Sequence, residues 1–273
     1  MGIRAAVMLV AFLLVAGCST IGGQSNSETP TITPAPVPTE TSTLSGSETE
    51  TVPSISTTGV TDPRVLADHH VEAIWSMRYR WSERFLHRVQ TGQTVYNVTR
   101  RQNIVYREPG RYTRESDSYE ILVAGQPRRL YGFEEYGTED VVYWSWREQP
   151  DGERVFRCNT NPPPSHEFAN RSADAIRRYL NLEEATVSRA RTDSSEADYF
   201  LVYGTRSRVP DFGEVEGYRA RALVRNDGFV KELAVRFNAT TERGTVTVTY
   251  NSTFSRIDTA AVSSPSWLPD VNC

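Results

Sequence analysis

With 273 residues, 38% of them hydrophobic and 23% charged, the chain can bury a sizeable core. Of its 30 basic and 34 acidic residues, the first 62 positions hold one base and five acids, so residues 63–273 are balanced in charge. A balanced segment of that length needs no metal or disulfide staple to fold, and it lacks the basic excess that nucleic acid demands.

Arg4 precedes an apolar run from Ala5 to Ala16, which ends Leu14-Val15-Ala16-Gly17-Cys18. Twelve apolar residues suit a signal peptide, whereas a spanning helix needs about 20. Small residues at 16 and 17 fit a peptidase groove, and the pattern resembles the lipobox of secreted lipoproteins. That resemblance implies removal of residues 1–17 and a lipid on the thiol of Cys18. Two acyl chains there would hold the protein stably, at ~0.8 kcal/mol per buried methylene.

Residues 19–62 are rich in Ser, Thr and Glu, have prolines at 30, 34, 36, 38 and 53, and contain no aromatic residue. Such a composition cannot offset its ordering entropy, so residues 18–62 read as a lipidated cysteine and a disordered tether spanning roughly 35–40 Å. One folded domain, 63–273, is expected to follow. Asp62 and Pro63 suit the start of a helix, and Val65, Leu66, His69, Ala73 and Ile74 repeat at helical spacing to about Trp75.

From Met77 the period becomes two. Met77, Tyr79, Trp81, Phe85 and Val89 share one face, and Arg78, Arg80, Ser82, Arg84 and Arg88 the other. Further strands are expected at 94–107, 112–114, 119–123, 130–136, 141–146 and 154–158, with short turns between them that make neighbours antiparallel. After Asn161-Pro162-Pro163-Pro164, Ser172 reads as the cap of a second helix carrying Ile176, Tyr179 and Leu180. Strands resume at 185–191, 198–207, 217–225 and 229–238, the last two joined by Asn226-Asp227-Gly228. In 245–256, Val246, Val248, Tyr250 and Phe254 oppose a row of threonines and Asn251.

The expected fold class is therefore α+β: a large curled antiparallel sheet of about 11 strands, an unclosed β-barrel, covered on its concave side by two helices. This element order over residues 63–258 resembles the lipoprotein carriers of the LolA/LolB type and the lipid-binding lipoproteins of the LppX/LprG type. In those families the concave face and the helices enclose an apolar cavity that holds acyl chains. The resemblance implies such a cavity here, and Tyr79, Trp81, Phe85, Leu233, Val235, Phe237, Val248, Tyr250 and Phe254 are the residues that would line it. The same stripe also reads as ordinary core. A single lysine (Lys231) among 30 bases, with the acidic Thr/Glu/Pro-rich tether, further resembles haloarchaeal surface lipoproteins; the balanced domain departs from their acidic surfaces.

Cys158 and Cys273 form the remaining cysteine pair, a disulfide candidate in an oxidising exterior. Asn97, Asn170, Asn238 and Asn251 head N-x-Ser/Thr sequons and are candidate N-glycan acceptors. Chemistry is not signalled. There is no Gly-x-Ser-x-Gly, phosphate loop, His-Glu-x-x-His or Cys-x-x-Cys, so no catalytic, cofactor or metal residue is assigned. Glu134-Glu135 and Glu139-Asp140 read as a solvated turn around Gly137, and Trp144 and Trp146 as packing residues on one strand face. The expected function is an extracytoplasmic protein, anchored to the membrane by the lipid on Cys18, that binds or carries an apolar ligand such as a lipid, without catalysis. The rival is a surface interaction or envelope module with the same fold and a packed interior.

Overall fold

A computed structural model describes residues 54–91, 94–106, 110–122, 128–147, 153–161, 167–190, 198–242 and 244–273. Cys18 and most of the tether lie outside the described residues, as does the side chain of Asn97. The described residues include a short segment N-terminal to Asp62. Strands β1 (Ile55–Ser56) and β2 (Gly59–Val60) pair as a small ribbon, with Ile55 and Val60 packed on the core.

Helix α1 (Pro63–Trp75) starts where Asp62 Oδ1 accepts the Arg64 (2.8 Å) and Val65 (3.4 Å) amides, with Pro63 in the first turn. Strands β3 (Tyr79–Thr91), β4 (Thr94–Tyr106), β5 (Tyr112–Leu122), β6 (Arg128–Gly137), β7 (Val142–Arg147) and β8 (Arg154–Asn159) form a meander. Helix α2 (Glu167–Tyr179) follows, then β9 (Glu184–Ala190), β10 (Tyr199–Thr205), a short β11 (Arg208–Val209), β12 (Gly213–Arg225), β13 (Val230–Thr241) and β14 (Gly244–Ser255). All twelve strands from β3 onward belong to one antiparallel sheet, ordered 8-7-6-5-4-3-14-13-12-10-9, with β11 beside β12. Strands β8 and β9 are its two ends, and the sheet is not closed.

That order dictates where α2 lies. β8 and β9 are consecutive strands at opposite ends of the sheet, so the segment joining them has to cross the sheet's concave face. A 13-residue helix covers about 20 Å of that distance. Phe168 near its start meets Tyr112 of β5 edge-on (4.8 Å), and Tyr179 at its end meets Tyr250 of β14 (5.0 Å). Ser172 is not the cap expected from the sequence. It sits mid-helix and donates back to the Ala169 carbonyl (2.9 Å). The helix starts instead at Glu167, an acid suited to the positive end of the helix dipole, and ends with Arg177 and Arg178.

The outer face is crossed by the chain's last residues. Trp267 is buried there against Phe156 (6.1 Å) and donates its indole N–H to Glu134 (2.5 Å). Ser264 bonds the Tyr136 hydroxyl (3.4 Å), and a disulfide joins Cys158 on β8 to Cys273. Glu134-Glu135 is thus not a solvated turn. The two carboxylates lie within β6 and point to opposite faces, Glu134 under this C-terminal strap and Glu135 inward.

Phe237 is fully buried between Phe212 (5.1 Å) and Tyr218 (5.7 Å). Its replacement by Ala is expected to lower unfolding free energy by ~3–5 kcal/mol, whereas Arg84→Ala on the outer face should stay within ~0.5 kcal/mol. Chemical denaturation of the two variants checks this contrast.

Candidate functional site

Cross-strand register sorts the inner face into two parts. The first runs over β3, β14, β13 and β12 beneath both helices. Eight of the nine expected lining residues (Tyr79, Trp81, Leu233, Val235, Phe237, Val248, Tyr250 and Phe254) are buried there, and Phe85 is half-buried beside them. They pack on one another and on the helices. Phe254 stacks with Trp81 (5.9 Å) and meets Tyr79 (5.2 Å), Phe229 (5.3 Å) and His70 of α1 (5.3 Å) edge-on. Clefts of about 350, 470 and 510 Å³ open elsewhere on the described residues, and none of the nine lines them. This part is a filled core.

Three sets of polar contacts brace it. His70 is fully buried, and its Nδ1 accepts the Val230 amide (3.0 Å). Its proton therefore sits on Nε2, which donates a hydrogen bond to Ser172 Oγ (2.9 Å), and the Ser172 hydroxyl in turn donates to the Ala169 carbonyl. His70 has no free lone pair to take a proton from Ser172, so this Ser–His contact is a brace between α1, α2 and β13 and not a nucleophilic dyad. Tyr250 donates to Glu83 (3.0 Å), which also pairs with Arg171 of α2 (3.0 Å). Trp81 donates its indole N–H to Ser252 (2.7 Å).

The second part lies on β5 to β8, beyond Phe168. Tyr112, Arg114, Phe133, Glu135, Trp144, Trp146, Val155 and Arg157 share the inner face in register. Glu135 is buried and accepts from the Tyr112 hydroxyl (2.6 Å) and the Trp144 indole (2.8 Å), with Arg114 at 3.7 Å. Burial, and then this carboxylate, raise the Tyr112 phenol well above its ordinary range. The Arg114 guanidinium lies over Phe133 (4.8 Å), and Arg157 over Trp146 (5.7 Å). Phe133, Trp144, Trp146 and Val155 remain half-buried. This aromatic shelf groups four partly open apolar side chains on adjacent strands; elsewhere on the inner face Phe85 of β3 and Phe200 of β10 are also half-buried.

Sequence reasoning placed Trp144 and Trp146 on one strand face, where the register puts them, but missed Glu135 as their anchor. The signal was available in the register of Tyr112-x-Arg114 opposite Glu135. It becomes visible only once β5 is paired with β6. Of the sequons, Asn170, Asn238 and Asn251 are exposed, with the Asn238 amide oxygen accepting from the Thr247 hydroxyl (2.8 Å). Among the described residues no three His, Cys, Asp or Glu side chains could hold a metal ion, and no helix is long and apolar enough to cross a membrane.

No protein-family model matches the chain, and no curated protein matches it. Among solved structures it is similar to a DUF1329 family protein from Desulfovibrio piger: 10% identity, 76% of this chain against 97% of that one, TM-score 0.24. It is also similar to a putative outer membrane lipoprotein-sorting protein domain from Vibrio parahaemolyticus: 10% identity, 73% against 93%, TM-score 0.22. Likeness this slight carries no argument about function.

Burial holds the His70 imidazole neutral, its pKa lowered to about 3 against 6.5 in an unfolded chain, and nearby Asp227 offsets only part of this. The unfolded state thus takes up the proton first. Stability is complete above pH 6.5 and is lost as pH falls, by about 1.4 kcal/mol per unit toward pH 3. Urea titrations of wild type and His70→Gln between pH 7 and 4 should show that slope in the wild type and a flatter one in the variant.

Proposed function

We propose that this chain is an extracytoplasmic lipoprotein, cleaved before Cys18, held to the membrane by lipid on that cysteine, and binding an apolar or amphiphilic ligand on the inner face of its sheet. The half-open shelf of Phe133, Trp144, Trp146 and Val155 carries the reading. Beneath the helices most large apolar side chains are buried; here aromatic rings remain partly open around a buried, hydrogen-bonded Glu135. The arginines over Phe133 and Trp146 would suit a ligand with an anionic head next to its apolar body. Binding without catalysis fits the proton arrangement at His70 and Ser172.

The filled core beneath the helices favours a second reading, a surface interaction module with no ligand. The two part on one experiment. Full-length protein extracted from membranes is denatured and its organic extract analysed by mass spectrometry, and a fluorescent fatty-acid probe is titrated onto the delipidated protein. The carrier reading expects a stoichiometric amphiphile and probe binding that falls at least tenfold in the Trp144→Ala, Trp146→Ala double variant. An empty extract with no probe binding establishes the module reading instead.

Anchoring is tested separately. Cys18→Ser is expected to leave the domain folded and to move it from the membrane pellet to the medium; retention in the pellet would disprove lipid as the sole attachment.

A further inference from the structure

Although residues 63–273 are balanced in charge, their arginines are not evenly spread. Arg84 and Arg88 of β3, Arg236 of β13, and Arg219 and Arg221 of β12 are all exposed. Register places them on the outer face. Arg84 aligns with Asn251, Ala234 and Arg221 across successive strands, Leu86 with Thr249, Arg236 and Arg219, and Arg88 with Thr247 and Asn238. At about 4.8 Å per strand and 3.3 Å per residue, the five guanidinium groups arise from a patch roughly 15 Å square. The strand between them contributes only Thr245, Thr247, Thr249, Asn251 and Thr253.

Three features set this patch apart from an ordinary solvated face. Among the described residues, Arg84, Arg88, Arg219 and Arg236 form no ion pair; Arg221 has Glu232 at 3.8 Å, and Glu216 of β12 ends the row of Arg88, Thr247 and Asn238. On α2, by contrast, Arg177 pairs with Asp68 and Asp174, and Arg178 with Asp211. Second, Arg219 stands directly opposite Arg236. Like charges opposed across a sheet are destabilising unless an anion lies between them. Third, Tyr203, 46% exposed, shares the face in register with Arg221. Tyrosine is a side chain enriched at membrane–water interfaces.

We propose that this outer face docks on the anionic headgroups of the bilayer to which the chain is tethered. The inference rests on the lipoprotein reading above for the tether alone. An anchor on Cys18 and a spacer reaching roughly 35–40 Å keep the patch at high local concentration near the surface, so weak multivalent attraction suffices. Docked this way, the domain turns its aromatic shelf away from the bilayer. A glycan on Asn251, in the middle of the patch, is incompatible with docking.

The test uses the mature-length chain carrying Cys18→Ser, so that no lipid contributes. Its co-sedimentation is measured with vesicles of phosphatidylcholine alone and with added phosphatidylglycerol. Binding is expected only to the anionic vesicles and should weaken with salt. It should fall about fivefold for each arginine removed, at roughly 1 kcal/mol each, and be lost in Arg84→Glu, Arg236→Glu. Arg64→Glu on α1, away from the patch, is expected to bind like the parent. Equal binding to neutral vesicles, unchanged binding after the double reversal with an unchanged melting temperature, or a glycan on Asn251 in the native protein's mass would each overturn the proposal. None of these results bears on the fatty-acid titration, which reads the opposite face.

Discussion

Two helices of 13 residues must keep one face of a twelve-strand sheet dry, and most of this structure answers to that constraint. A curled sheet presents more inner surface than two short helices can cover. The part they do cover, over β3 and β12 to β14, is packed solid with Trp81, Phe237, Phe254 and their neighbours. The part they leave, over β5 to β8, keeps its aromatics half-open and fixes them through Glu135. The division between filled core and half-open shelf falls where α2 presents Phe168 to Tyr112.

Covering the core this way leaves polar groups inside it, and several of them tie the helices to the sheet. His70 links α1 to α2 through Ser172 and to β13 through the Val230 amide. Tyr218 donates to the last carbonyl turn of α2 at Tyr179 (2.5 Å), which satisfies a helix end that would otherwise be buried unpaired. These contacts fix the helices' height above the sheet as firmly as the apolar packing does, and so fix how much room remains beneath them.

The individual elements were legible in the sequence, and their arrangement was less so. Alternation over Met77–Val89 and Val246–Phe254 revealed the long strands and their wet and dry faces, because a half-buried strand imposes a period of two. Asp62-Pro63 marked the first helix for equally local reasons. Ser172 misled because a serine before an apolar repeat looks the same whether it caps a helix or bonds back within one. The shelf was hidden for a different cause: whether Trp144 and Trp146 end up sealed or half-open depends on how far α2 extends across the sheet, a tertiary quantity. The outer arginines were visible one strand at a time, but the patch exists only through the pairing of β3, β14, β13 and β12, whose order no single stretch of sequence encodes.

That order has a kinetic corollary. The first long strand of the sheet, β3, takes as its central neighbour the last, β14, some 160 residues later. Neither half of the core can be completed until the C-terminal end has been made, and the closing search spans nearly the whole domain, which slows folding. A nascent chain of this topology stays open until synthesis is nearly finished.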